Sequence, residues 1–194
     1  MAESSMHNKP KLVVVTGRPG SGKTTLSKEL GKLLYFPVVS RDEIKEGYVN
    51  TFNIRHDELP ENTNKVASEV FFRTIGLLLT NKVSVIAEAA FQHGVWKPEI
   101  TKFQKYADVL VIICEIDAEV AAKRHLERGL NDPRRGFFHG DKQTEGVSPP
   151  AEYEPPILEV STIKVCTLNG YNPELYEIRK QIVGDGGLLC SEKS

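Results

Sequence analysis

Eight residues near the start of the chain, Gly17-Arg18-Pro19-Gly20-Ser21-Gly22-Lys23-Thr24, match the pattern GxxxxGK[ST] and have the types and spacing to hold phosphate. Glycines open backbone angles closed to other residues, so successive N–H groups can turn inward around phosphate oxygens. Lys23 can reach the β- and γ-phosphates of a nucleoside triphosphate, and the Thr24 hydroxyl can coordinate Mg²⁺. Gly17, Pro19, Gly20, Ser21, Gly22, Lys23, Thr24 and Thr25 are the expected nucleotide contacts. A glycine-rich turn with a surface lysine would carry the same letters. What separates the two is context: a strand before the motif and, after it, a helix whose N-terminus adds its positive dipole end.

Two carboxylates stand where a transferring phosphate could be served. Asp42, in Ser40-Arg41-Asp42-Glu43, follows a short strand read as lying beside the first one, where the strand ends open onto the nucleotide crevice. It could accept or orient the proton of an acceptor hydroxyl, with Arg41 as an anchor for substrate or phosphate; the plainer reading makes Asp42 a helix cap. Glu88 closes the apolar run Val83–Ala87 and could support Mg²⁺ through water, or act as the base in place of Asp42. Phe91, Gln92, His93 and Trp96 follow and could line an acceptor pocket, although Trp96 could equally pack beneath a loop.

Arg124 and Arg128 are four apart and share a helix face, with Arg134, Arg135 and His139 just beyond. Arginines closed over a γ-phosphate stabilise the charge that builds there, and closure excludes water. A solvated basic helix face is the bland alternative. Arg128, at the helix end, is the one placed in the chemistry.

The elements that must position these groups follow from periodicity. Strands are expected at 11–16, 37–40, 83–87, 108–114 and 157–160, and helices at 23–34, from Asp42, at 62–79, 96–106, 117–128 and 173–183. Gly31 weakens the first helix without ending it, Pro98 falls in a first turn, and Gly129 closes the helix after the fourth strand. Residues 129–156, rich in Pro and Gly, read as a basic lid within a single domain at 11–183, with fraying ends at 1–10 and 184–194. Strands too apolar to leave one face in water imply an α/β fold: a parallel sheet with helices on both faces.

Composition narrows the classes. The 194 residues carry Lys+Arg 25 against Asp+Glu 26, a net charge of −1, which argues against a broad nucleic-acid surface. Three widely spaced cysteines, Cys114, Cys166 and Cys190, form no metal motif and no disulfide framework. With no stretch apolar enough to span a bilayer, a cytoplasmic protein without a membrane partner is expected.

At VVVTGRPGSGKTTLSKEL, VVSRDEIKE, VSVIAEAAF, RHLER and ILEVST the chain resembles the small P-loop kinases related to shikimate, gluconate and adenylate kinases. It is most similar to the bacterial predicted kinases, often called AAA-family ATPases, that are related to chloramphenicol phosphotransferase and zeta toxin. The resemblance implies a three-layer P-loop fold with a five-stranded parallel sheet and the P-loop strand central. It also implies ATP with Mg²⁺, transfer to a hydroxyl, Asp42 at the acceptor, and Arg124 or Arg128 at the nucleotide. The segment after the third strand departs from the shikimate and gluconate kinase motifs, which leaves the acceptor open.

Three functions compete on these residues. A kinase for a small hydroxylated molecule leads. A polynucleotide 5′-hydroxyl kinase would want a basic channel with stacking platforms, for which only Lys97, Lys102 and Lys105 speak. A nucleotide-sensing module without turnover is the third. A GTP switch is disfavoured, since Asn81-Lys82 lacks the Asp of an NKxD motif.

Overall fold

In the computed structural model, which describes residues 9–132, 134–139 and 152–184, alternation along the first strand builds two cores. Leu12 and Val14 of β1 (Lys11–Thr16) face one buried cluster, and Val13 and Val15 face the other. β4 (Asp108–Glu115) repeats this, with Val111 and Ile113 on the first side and Leu110, Ile112 and Cys114 on the second. Side chains alternate across a pleated strand, so a strand apolar at every position must be covered on both faces.

The cover comes from helices. α1 (Lys23–Leu34) and α7 (Leu175–Val183) bury Leu26, Leu30, Ile178 and Ile182 against the second face. α3 (Thr63–Thr80) and α4 (His93–Phe103) bury Phe71, Ile75, Trp96 and Ile100 against the first. The five strands, with β2 (Val38–Ser40), β3 (Val85–Glu88) and β5 (Ser161–Cys166), are all parallel in the order β2-β3-β1-β4-β5. This is the three-layer α/β fold expected, with the P-loop strand in the middle. α2 (Arg41–Phe52), a 3-10 turn at His56–Glu58, α5 (Ala118–Asn131) and a short α6 (Arg135–His139) complete the described residues.

Several local expectations are corrected. β2 is not beside β1: β3, buried at all four positions, takes the inner place, and the shorter, half-buried β2 takes the edge. The last strand runs over Ser161–Cys166 rather than 157–160. It is an edge strand that buries only Ile163 and Val165, so its sequence looks more polar than the apolar run before it. Gly129 does not close α5, which continues to Asn131. α4 begins at His93, which places Pro98 inside the helix beyond its first turn. Gly31 has a packing reason: a Cβ there would lie 2.5 Å from Val38 Cγ2 and 3.2 Å from the Phe36 carbonyl, so α1 can approach β2 only without one.

The lid expectation falls partly outside the described residues, at 133, 140–151. Its described parts are not featureless, since α6 lies there and residues 152–157 are tied by hydrogen bonds to Thr16 of β1 and to Gln92 and His93 at the start of α4. The ends expected to fray at 1–8 and 185–194, and Cys190, also lie outside the described residues. No described helix is long and apolar enough to cross a membrane.

Candidate active site around the phosphate loop

The loop leaves β1 at Gly17 and enters α1 at Lys23, with Gly17, Gly20 and Gly22 all at positive φ. Gly20 has no alternative, because a Cβ there would sit 2.0 Å from the Ala121 carbonyl oxygen of α5. The loop is held from behind. Thr167 Oγ1 donates to the Ser21 carbonyl at 2.8 Å, and Arg124 donates to the carbonyls of Thr167 (3.1 Å) and Leu168 (2.8 Å). Arg124 therefore clamps the turn after β5 against the loop. The Ser21 hydroxyl is buried with no hydrogen-bond partner among the described residues.

In-register pairing aligns the strand ends: Glu88 of β3 lies opposite both Val15 of β1 and Ser40 of β2. Its carboxylate, 2% exposed, accepts from Ser40 Oγ at 2.7 Å and from Thr24 Oγ1 at 3.3 Å. Burial pushes Glu88 above the usual carboxylate range, against the lowering pull of Lys23 and its two hydroxyl donors. Burial likewise lowers Lys23, although Glu88 and then Asp42 pull it back up and Arg128 adds to the lowering. Arg128 thus stands within electrostatic reach of Lys23. Cys114, under the loop, is pushed up to about 12 by burial and is an inert core thiol.

Ser40, not Asp42, caps α2, accepting from the Glu43 N–H at 3.5 Å. That leaves the half-exposed Asp42 side chain 3.4 Å from Arg41 Nη1 and within electrostatic reach of Lys23. Partial burial would raise Asp42, but His139, Arg41 and Lys23 together hold it below the ordinary range. His139 reaches α2 from α6, with Nε2 2.9 Å from Glu46 Oε1. Arg134 is paired with Asp132 at 3.1 Å on the surface, and Arg135 opens α6.

Trp96 lines no pocket. It is fully buried among Phe71, Phe72 and Phe91, and its Nε1 donates to Thr16 Oγ1 at 3.1 Å. Thr16 Oγ1 also lies 3.0 Å from the Tyr153 hydroxyl, which ties the 152–157 strap to the residue just before the loop. Further ties run from the His93 N–H to the Glu154 carbonyl and from the Ile157 N–H to His93 Nδ1. Between Arg18, Gln92, Ala118 and strap residues Glu152–Pro155 opens a cleft of about 670 Å³.

Sequence reasoning missed Ser40, Thr16, Thr167 and Tyr153. Ser40 had a local signal, the S-x-x-E capping pattern with Glu43. The other three act across 137 and 146 residues of chain, where no sequence spacing announces them.

A glycine cradle at the carboxyl end of a central parallel strand, with a buried lysine and a hydroxyl–carboxylate pair beside it, defines a P-loop nucleotide-binding protein of the kinase fold. Residues 12–147 match the AAA_33 family, described as an AAA domain, and the chain belongs to that family. Among solved structures it is similar to a presumed kinase from Chloroflexus aurantiacus J-10-fl, with TM-score 0.77 and 23% identity over 90% of this chain and 97% of that one. It is similar also to a sugar kinase from Janibacter sp. HTCC2649, with TM-score 0.56 and 16% identity over 90% and 96%. A third likeness is to a chain of the Pnkp1/Rnl/Hen1 RNA repair complex, with TM-score 0.57 and 19% identity over 78% and 51%. At these identities the likeness establishes the fold.

Proposed function

We propose that the protein is an ATP-dependent kinase that transfers the γ-phosphoryl group to a hydroxyl of a small molecule. The observation that carries this reading is the Thr24–Glu88–Ser40 hydrogen-bonded set beside Lys23, with Asp42 at the next strand end. A nucleotide store needs the cradle alone; carboxylates facing it from two strand ends suit transfer.

The residues fit ATP with Mg²⁺. Ser21 Oγ is an orphaned buried hydroxyl inside the cradle, and Lys23 is a buried cation that an anionic ligand would satisfy. Among the described residues no cluster of three or more His, Cys, Asp and Glu could hold a metal alone. A hydroxyl with a carboxylate behind it suits Mg²⁺, which keeps waters and phosphate oxygens among its ligands. Bound there, Mg²⁺ would neutralise phosphate charge.

In this reading the loop residues Gly17, Pro19, Gly20, Ser21, Gly22, Thr24 and Thr25 hold the phosphates with Lys23. Glu88 orients Thr24 and the metal's water, because both its oxygens already serve hydroxyl donors. Asp42 receives the acceptor hydroxyl. Its depressed pKa makes it a weak base but keeps it ionised, and a loose phosphoryl transition state asks more for positioning than for basicity. The acceptor oxygen bonds phosphorus as the bond to ADP breaks, and the hydroxyl proton passes to Asp42. Arg128 reaches the transferring phosphate, and Arg124 frames the nucleotide through the 167–168 turn.

A screen with γ-labelled ATP over pooled sugars, nucleosides, antibiotics and oligonucleotides tests the proposal, with Lys23→Ala and Asp42→Asn as controls. Label transfer to a small hydroxylated compound, lost in Lys23→Ala, is expected. Transfer surviving Lys23→Ala, or label going to water alone, would refute it. Asp42→Asn retaining full activity would remove Asp42's role and leave the base to Glu88.

A further inference from the structure

The cleft between the phosphate loop and the strap is built from every side of the nucleotide end of the sheet. Gln92 follows β3, Arg18 follows β1 and Ala118 follows β4, so the cleft opens across the carboxyl ends of three neighbouring strands. Ligands of open α/β sheets bind outside those ends. Its volume of about 670 Å³ lies within the range of small-molecule sites. Neighbouring strands stand about 4.8 Å apart, so the end of β2, which Asp42 follows, is roughly 10 Å from the β1 end beneath the cleft.

The strap wall is fixed in place. The His93 N–H holds the Glu154 carbonyl at 3.0 Å, and Gln92 Nε2 reaches the Glu152 carbonyl at 3.4 Å. Between them the Tyr153 hydroxyl meets Thr16 Oγ1, which the buried Trp96 Nε1 also holds. The backbone of the strap is therefore engaged, while the carboxylates of Glu152 and Glu154 make no hydrogen bond or ion pair among the described residues. The Arg18 guanidinium opposite makes none either, so no ion pair closes the cleft. Single unpaired charges on a surface need no explanation. Here three of them, with the Gln92 amide, line one cavity that begins at the phosphate loop.

We propose that this cleft seats the body of the acceptor, that Arg18, Gln92, Glu152 and Glu154 determine its specificity, and that the acceptor is a polyol without negative charge, such as a sugar or an amino sugar. This rests on the kinase reading above and names the chemical class of its substrate. Carboxylates and an amide carbonyl accept from hydroxyl or ammonium groups, and the guanidinium donates to hydroxyl oxygens. Ala118, Pro155 and the Tyr153 ring supply apolar surface for the C–H face of such a molecule. One guanidinium against two carboxylates leaves the lining net negative. A phosphorylated or carboxylated acceptor would meet like charge there, and so would a polynucleotide backbone.

Two measurements test it. With γ-labelled ATP, glucose and glucosamine are compared with glucuronate, and ribose with ribose 5-phosphate. The uncharged or amine-bearing member should be used about 10- to 100-fold better than its anionic twin, the worth of one hydrogen bond to a charged group. The double variant Glu152→Ala/Glu154→Ala changes two exposed side chains and should raise the acceptor KM by a similar factor while the KM for ATP stays put. Preference for the anionic twin, or an acceptor KM unmoved in the double variant, overturns the cleft and leaves the kinase standing. Preference for an oligonucleotide, weakening steeply with salt, overturns the small acceptor. Separately, protein filled with Mg²⁺ and a non-hydrolysable ATP analogue is titrated by NMR with glucose, glucosamine and glucuronate. Saturable shifts at Arg18, Gln92, Ala118 and residues 152–154 with glucose or glucosamine, weaker with glucuronate and lost in the double variant, support the cleft even if no compound is phosphorylated, an outcome that would count against the kinase reading alone. Absence of such shifts, equal shifts with glucuronate, or shifts identical in the double variant overturn it.

Discussion

The Ser40 hydroxyl donates to Glu88 Oε2 at 2.7 Å, joining the end of the edge strand β2 to the end of β3 inside the site. One side chain thereby caps α2 and fixes the carboxylate that Thr24 also reaches. Ser40→Ala should cost about 1–3 kcal/mol, since it leaves a buried carboxylate oxygen unsatisfied and removes a cap. In a double-mutant cycle with Glu88→Gln, measured by urea denaturation, the two losses should fall short of additive. Strict additivity would mean the contact carries no coupling.

Glu88 and Asp42 should leave opposite marks on the pH dependence of stability, in separate windows. Glu88 is raised from 4.5 in the fold, so its contribution is present below 4.5 and lost as pH rises through the folded value. Asp42 is lowered from 3.8, so its contribution is present above 3.8 and lost as pH falls through its own folded value. Glu88→Gln should flatten the decline above pH 4.5, and Asp42→Asn should flatten only the acid limb. Denaturation midpoints at closely spaced pH values decide; an unchanged slope in Glu88→Gln contradicts the assignment.

Lys23 should govern nucleotide binding. With Mg²⁺ and ATP at a hundred times Kd, wild type should gain about 2.7 kcal/mol of stability. In Lys23→Met this ligand-induced gain should largely vanish, read as the loss of a thermal shift. A shift of equal size in the variant would remove Lys23 from the phosphate site.

Gly31→Ala offers a test in which local and tertiary preferences disagree. Alanine favours a helix by about 1 kcal/mol, yet its Cβ would lie 2.5 Å from Val38 Cγ2. Val38 is β-branched and cannot swing aside cheaply. We expect a net loss of about 1–3 kcal/mol from overpacking, measured by chemical denaturation; a gain would show that α1 shifts freely.

Thr16→Val should cost about 1–3 kcal/mol by leaving the buried Trp96 Nε1–H unpaired. Tyr153→Phe removes only the strap's contact with Thr16 and should cost less. Its mark is faster proteolysis within residues 152–157, with the global unfolding midpoint little changed. Proteolysis as slow as in wild type would show that the other strap bonds suffice.

The two carboxylates show how far the sequence could be read. Glu88 closes a strand apolar enough to be recognised alone, and Asp42 sits at a helix start next to a serine. Both positions follow from local periodicity and capping. That Asp42 yields the cap to Ser40, that Glu88 is the buried one, and that their pKa values shift in opposite directions does not, because those depend on neighbours from α1, β2 and α6. Trp96 makes the same point in reverse: an aromatic after a strand end suits a pocket or a core equally, and only packing against Phe71, Phe72 and Phe91 decided for the core.

By itself the sequence determined the phosphate cradle, the alternation of apolar strands and amphipathic helices, and the α/β class, since each is written in residues close together along the chain. Tertiary structure alone decided that β3 stands between β1 and β2, that the last strand is the polar-looking Ser161–Cys166, and that Arg124 and Thr167 buttress the loop. It also brought Arg41, Lys45 and His139 within electrostatic reach of His56. The reason is physical: local preferences act over a few residues, whereas strand order, burial of charge and the partners of buried polar groups are settled by contacts between segments tens to more than a hundred residues apart.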